Sequence, residues 1–236
     1  MIEAELEFPF SMTHLALEAI LTLPDALRPT HKSLGEDEVG TAIGDASVFL
    51  RTFELPSIGL FLRNSLALYD FRKLRNGNLT CCAYLDAIPH VAVKEFLIHM
   101  AMAHPIFGFA CVAEEREHRN RITTKLGVNT IHSWVGRDTR RFVPGLYWWT
   151  LLPASLAEQH GIPLSTIVGA AQEHIELDGQ QHLLRFYEKP EDWQSAAVMA
   201  ELYRSLPSVF DVEKLRSKLQ GATTFLELNA ILDAWR

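Results

Sequence analysis

The sequence predicts an α+β fold: a mixed or largely antiparallel sheet flanked by helices. Three observations carry that expectation. Residues 2–8 alternate Ile2, Ala4, Leu6 and Phe8 with Glu3, Glu5 and Glu7, the period of two of a strand with one wet face. Asn76-Gly77-Asn78 and Asp178-Gly179 are hairpin signals, because Asn, Asp and Gly tolerate the positive φ that tight turns need. Helical and extended segments alternate irregularly, which argues against a Rossmann or barrel fold. With 236 residues, 48% hydrophobic and 22% charged, the chain can bury a full core without staples and reads as a single domain over 1–236.

The elements follow in order. After the first strand, Thr13 is placed to cap a helix to about Leu23, with Leu15, Ala19, Ile20 and Leu23 on one face. Pro24 and Pro29 end it. Residues 29–44, centred on Gly35-Glu36-Asp37-Glu38, read as an exposed loop or edge strand. A helix is expected over 45–54, and the apolar stretch 57–72 suits helix or strand. Past the Asn76 turn, Leu79–Asp86 reads as a buried strand. Pro89-His90 opens a helix to about Ala103, Pro105 stops it, and Ile106–Ala113 is a second strand. If these two strands are parallel neighbours, their crossover is right-handed. The aromatic run ending Tyr147-Trp148-Trp149-Thr150 suits another buried strand. A helix over Pro153–His160 follows, then helical character over 165–175. A hairpin joins 173–177 to 182–187. A helix runs from Lys189 to about Leu206, and a last one over Phe225–Trp235.

The net charge of −7 is unevenly spread: −7 over residues 1–60, +5 over 61–150 and −5 over 151–236. An acidic chain is unsuited to general nucleic-acid binding, whereas concentrated acidic segments suit a cationic partner. No run approaches the ~20 apolar residues of a membrane span, and the acidic first ten residues do not resemble a secretory leader. Cys81, Cys82 and Cys111 lie in apolar runs with no CxxC pairing, as expected of buried thiols in a reducing compartment. A cytoplasmic location follows as the expectation.

No nucleotide-binding glycine loop, nucleophile elbow or HExxH occurs. The ten histidines are scattered, the nearest pairing being His99 with His104, so neither a metal nor another cofactor is expected. The dense block Glu114-Glu115-Arg116-Glu117-His118-Arg119-Asn120-Arg121, with Arg137 and Asp138 beyond it, offers forked guanidinium donors beside carboxylates. Glu114, Glu117, Arg119, Arg137 and Asp138 are the expected scaffold ion pairs, and a solvated face is the bland alternative.

That block, together with Trp134-Val135-Gly136-Arg137-Asp138 and Val143-Pro144-Gly145-Leu146-Tyr147-Trp148-Trp149, resembles the type VI immunity family. These bacterial proteins are encoded beside secreted polymorphic-toxin effectors, notably those of type VI secretion systems. The resemblance is best over residues 77–192, including His182–Tyr187 and Pro190–Trp193. It implies a non-catalytic protein that binds and neutralises a cognate toxin. The weaker match over residues 1–60 coincides with the most negative segment. Glu36, Asp37, Glu38 and Asp45 are therefore the first candidates for contact with a cationic toxin, and Glu173, Glu176 and Asp178 the second. Two rivals differ in what they require. An effector adaptor or chaperone needs a large exposed apolar patch. A small-molecule enzyme needs a deep pocket, with Trp134, Arg137, Arg141 and Tyr147 as its walls.

Overall fold

The alternating segment forms strand β1 (Ile2–Phe8), and it lies inside the sheet, paired antiparallel on both sides. The computed structural model describes residues 1–53, 59–195 and 197–235. Helix α1 (Thr13–Leu21) buries Ala16, Leu17 and Ile20. Met12, not Thr13, stands at its cap position. The Thr13 hydroxyl instead donates to the Phe10 carbonyl at 2.6 Å, and Leu15 is exposed. The acidic stretch becomes two short strands, β2 (His31–Ser33) and, at the sheet edge, β3 (Thr41–Ala42), joined by the Glu36–Glu38 loop. Helix α2 (Ala46–Thr52) begins at Asp45, whose carboxylate accepts from the backbone N–H groups of Ser47 and Val48. Residue 54 of the expected helix, residues 57 and 58 of the apolar stretch, and residue 196 lie outside the described residues.

The remainder of the apolar stretch is extended: β4 (Leu60–Arg63) and β5 (Ala67–Lys73). The Asn76 turn, with Gly77 at φ +90°, joins β5 to β6 (Leu79–Leu85). Helix α3 (His90–Ala101) then leads to β7 (Phe107–Val112). Both β6 and β7 are antiparallel to β1, which lies between them, so they are parallel to each other but not adjacent. The expected neighbours are split because β1 offers both of its edges to the sheet.

The charged block forms α4 (Ala113–Asn120) and runs directly into the hairpin β8 (Arg121–Leu126) and β9 (Asn129–Trp134). The aromatic run is strand only from Trp149, in β10 (Trp149–Pro153). Upstream, the Tyr147 N–H is taken by the Thr150 hydroxyl at 2.8 Å and the Leu146 N–H by the Tyr203 hydroxyl at 2.7 Å, so neither joins a ladder. Helices α5 (Ala154–Gln159) and α6 (Leu164–Ala170) precede the second hairpin, β11 (Glu173–Leu177) and β12 (Gln181–Arg185). The helical character expected to residue 175 ends at Ala170, where the edge strand takes over. A 3-10 turn over Pro190–Gln194 and α7 (Ala197–Ser205) replace the single helix expected there. Helix α8 (Val212–Leu219), which the sequence reading passes over, and α9 (Phe225–Asp233) complete the chain.

Among the described residues, ten strands make one sheet in the order β11-β12-β10-β7-β1-β6-β5-β4-β2-β3, with antiparallel pairing at each junction. This is an α+β architecture with a large antiparallel sheet. Ile2, Ala4, Leu6 and Phe8 look into the main core, which takes Leu17 and Ile20 of α1 and Val93, Phe96 and Met100 of α3. Residues directly opposed across antiparallel strands share a face. Glu3, Glu5 and Glu7 therefore share theirs with Tyr84, Cys82 and Thr80 of β6 and with Cys111, Phe109 and Phe107 of β7. A smaller cluster, including Ile122, Val135, Phe210, Leu215 and Leu232, roots the β8–β9 hairpin on α8 and α9.

Gly136 lets the backbone after β9 pass close over Phe210 of this cluster. Its φ is +67°, and a Cβ there falls 2.1 Å from the Phe210 ring. Gly136→Ala combines left-handed strain with overpacking, each costing about 1–3 kcal/mol. We expect a thermal melt lowered by at least several degrees; a melt equal to wild type contradicts this packing.

Candidate functional site

Three carboxylates on one face of an internal strand cannot stay ionised there without cations, because removing a charge from water costs several kcal/mol. Helix α4 supplies them. The Arg116 guanidinium reaches Glu3 at 2.7 Å and Glu5 at 3.2 Å, while Arg137, in the loop after β9, pairs with the other Glu5 oxygen. The side chains of Glu5 and Arg116 are only 12% and 10% exposed. Burial alone pushes the Glu5 carboxyl up, but Arg137 and Arg116 outweigh it and hold it below the usual carboxylate range. Glu7 has neutral hydrogen-bond donors: Asn76, Asn78 and Thr139 donate to it, but burial dominates and raises its carboxyl. The wet face expected for β1 is thus largely covered.

A second buried pair lies one turn along α4. Glu115 accepts from the Arg119 Nε at 2.7 Å and from the Tyr187 hydroxyl. Burial raises its carboxyl against these partners. Asn120 then staples the following loop: its amide donates to the carbonyls of Val135 and Pro144 at 3.1 and 3.2 Å, and its oxygen accepts from the Tyr147 hydroxyl. The three motifs that carry the resemblance converge on this one network.

At the mouth of the network opens a cleft of about 550 Å³. Trp134, 37% exposed, stands on its wall with the guanidiniums of Arg116, Arg137 and Arg121 at 4.8, 5.5 and 5.9 Å from its ring centre. Of the walls expected for an enzyme pocket, Trp134 and Arg137 meet here, but the other two do not. Tyr147 is buried behind the network, and Arg141 donates to the Asp233 carbonyl at the far side.

The expected ion pairs distribute unevenly. Arg119 and Arg137 are in the buried network. Glu117 pairs with Arg121 on the surface, and Asp138 with Arg140, whose hydrogen bonds hold the Asp138 carboxyl down. Glu114 is exposed and makes no ion pair among the described residues. Of the deepest members, Arg116 is one of the forked donors of the charged block, whereas Glu5 lies outside the expected ion pairs, although three acids on one strand face are the available signal.

The acidic candidates occupy opposite ends of the sheet. Glu36, Asp37 and Glu38 are exposed in the β2–β3 loop, whose backbone is held by Arg63 through the carbonyls of Gly35 and Glu36. Asp45 is exposed but committed to capping α2. Glu176 and Asp178 are exposed on the other edge hairpin. Glu173, in contrast, is held between Lys94 at 2.5 Å and Arg185 at 3.1 Å. Nine strand spacings separate the two edges, roughly 40 Å along the sheet, so the two sets do not form one patch.

The histidine pair brought together is His174 with His182, their ring nitrogens 3.0 Å apart across β11–β12. His99 is instead occupied by the Ala19 carbonyl at 2.9 Å. Among the described residues, no three His, Cys, Asp or Glu side chains gather as metal ligands. The three cysteines are free and buried, and burial raises each thiol, Cys82 to about 12. No helix among the described residues is long and apolar enough to cross a membrane. No protein-family model, curated protein or solved structure matches the chain.

Two outcomes are expected from this geometry. Arg116→Ala strands Glu3, leaves Glu5 with Arg137 alone and should cost about 3–5 kcal/mol in urea unfolding, the range for breaking a buried pair; an unshifted midpoint would show that the carboxylates do not depend on it. The depressed Glu5 carboxyl contributes stability that is present above its unfolded value, near 4.5, and lost as pH falls through the lower folded value. The stability difference between wild type and Glu5→Gln should therefore narrow between about pH 6 and about pH 3, and a constant difference would rule this linkage out.

Proposed function

We propose that this protein is an immunity protein of the type VI kind, which binds a cognate toxin effector in the cytoplasm and neutralises it without catalysis of its own. The observation that carries this reading is the division of labour in the chain. The motifs of the resemblance are absorbed into a buried network of mutually neutralised charges. The acids of the β2–β3 loop stand exposed at a sheet edge, on a backbone fixed by Arg63. A scaffold that is shared and a contact surface that varies are what a set of proteins with different toxins requires. The preshaped acidic loop suits a cationic partner, because complementary charge speeds encounter. Next to it Val39 is 89% exposed, an apolar contact beside the charges. Free thiols at Cys81, Cys82 and Cys111 accord with a reducing compartment.

The test is direct. The product of the adjacent reading frame is expressed in bacteria with and without this chain, and the purified pair is examined by gel filtration and binding kinetics. Rescue of growth together with a stable complex supports the reading; toxicity that persists with this chain present in excess overturns it. Changing Glu36, Asp37 and Glu38 together to Lys should slow association and weaken its salt dependence. Stability should move by no more than about 0.5 kcal/mol. An association rate that is unchanged at low and high salt would move the interface to Glu176 and Asp178 on the opposite edge.

A further inference from the structure

The cleft beside Trp134 is cationic on an anionic protein. Arg72 and Lys73 at the end of β5, Arg75 in the turn after it, Arg116 of α4 and Arg137 all line it. Its carboxylates are Glu3, Asp70 and Glu117. Each is already engaged: Glu3 by Arg116, Asp70 by Arg72 through two nitrogens at 2.8 and 2.7 Å, and Glu117 by Arg121. Glu5, behind the wall, takes Arg137 and the second Arg116 contact. Lys73 and Arg75 are exposed, and neither pairs with a carboxylate among the described residues. Arg116 also keeps a buried Nε with no hydrogen-bond acceptor. Counting Arg121 and Glu5 with the lining, six cations face four carboxylates, a local surplus of two positive charges.

We propose that this cleft binds a small phosphorylated molecule. Its phosphate would be held by Lys73 and Arg75, and its organic part would lie against the exposed edge of Trp134. A surplus of two charges matches a phosphate dianion better than a single carboxylate, and guanidinium forks fit phosphate oxygens. The volume of about 550 Å³ lies within the range of small-molecule sites. A long polyanion is disfavoured by the chain's net charge of −7, which repels an extended phosphate backbone. The site does not depend on the toxin-binding reading, since it uses none of the acidic-loop residues.

The probe is AMP, titrated calorimetrically into the full chain at low salt, with adenosine and citrate in parallel. We expect saturable binding of one AMP per chain, no binding of adenosine, and citrate weaker than AMP. The double variant K73A/R75A should retain the wild-type melt and lose about tenfold or more in AMP affinity, as expected for two charge-assisted contacts. Absence of saturable AMP binding overturns the proposal. So does citrate binding as tightly as AMP, or an AMP affinity that the double variant leaves unchanged.

Discussion

The Glu5 carboxylate, clamped between Arg116 and Arg137, is the contact on which the rest of this structure depends. Strand β1 pairs with β6 on one side and β7 on the other, and the path of the rest of the chain covers both of its faces. Its apolar face meets α1 and α3. Its acidic face needs cations that arrive from above the sheet, and α4 brings them directly after β7 ends. Once α4 is anchored, the chain leaving β9 must turn sharply at Gly136 to bring Arg137 to Glu5, and Asn120 fixes the path that follows. Removing one partner would leave its neighbours charged and buried, which is why the network acts as a unit.

This accounts for the character of the charged block in the sequence. Of its residues, Glu115, Arg116, Arg119 and Asn120 point inward and tie α4 to the sheet and to the loop above it, whereas Glu114 and Glu117 remain at the surface. The charged block and the two motifs after it are thus explained by what they hold together. Partner recognition is then free to reside on surfaces the network does not use. Of the two proposed contact surfaces, the acidic loop at the β3 edge lies outside the network, whereas the cationic cleft of opposite charge takes Arg116 and Arg137 from it as walls. Complementarity to one kind of partner at each is more readily achieved than at a surface of mixed sign.

The sheet also separates surfaces that are chemically alike. Glu36–Glu38 and Glu176–Asp178 are similar in composition, yet strand order puts them at opposite ends. Glu173 belongs to the second group by sequence, but Lys94 of α3 and Arg185 of β12 neutralise it. A count of acids along the chain overstates what each edge presents to a partner.

What the sequence determined by itself was local. Period-two alternation made β1 a strand, Asn76-Gly77-Asn78 and Asp178-Gly179 made hairpins, and Pro89 and Pro105 bracketed α3. Each follows from steric and hydrogen-bond rules acting over a few residues. Only the tertiary structure decided that β1 lies between β6 and β7, that its glutamates are largely covered, and that Arg116 rather than Glu114 is the working member of its block. Arg116 and Glu5 are more than a hundred residues apart, and alternation alone reads the same for an edge strand with one wet face as for an internal strand whose second face is covered. What covers that face is set by the path of the whole chain, and so is the partner that each buried charge requires.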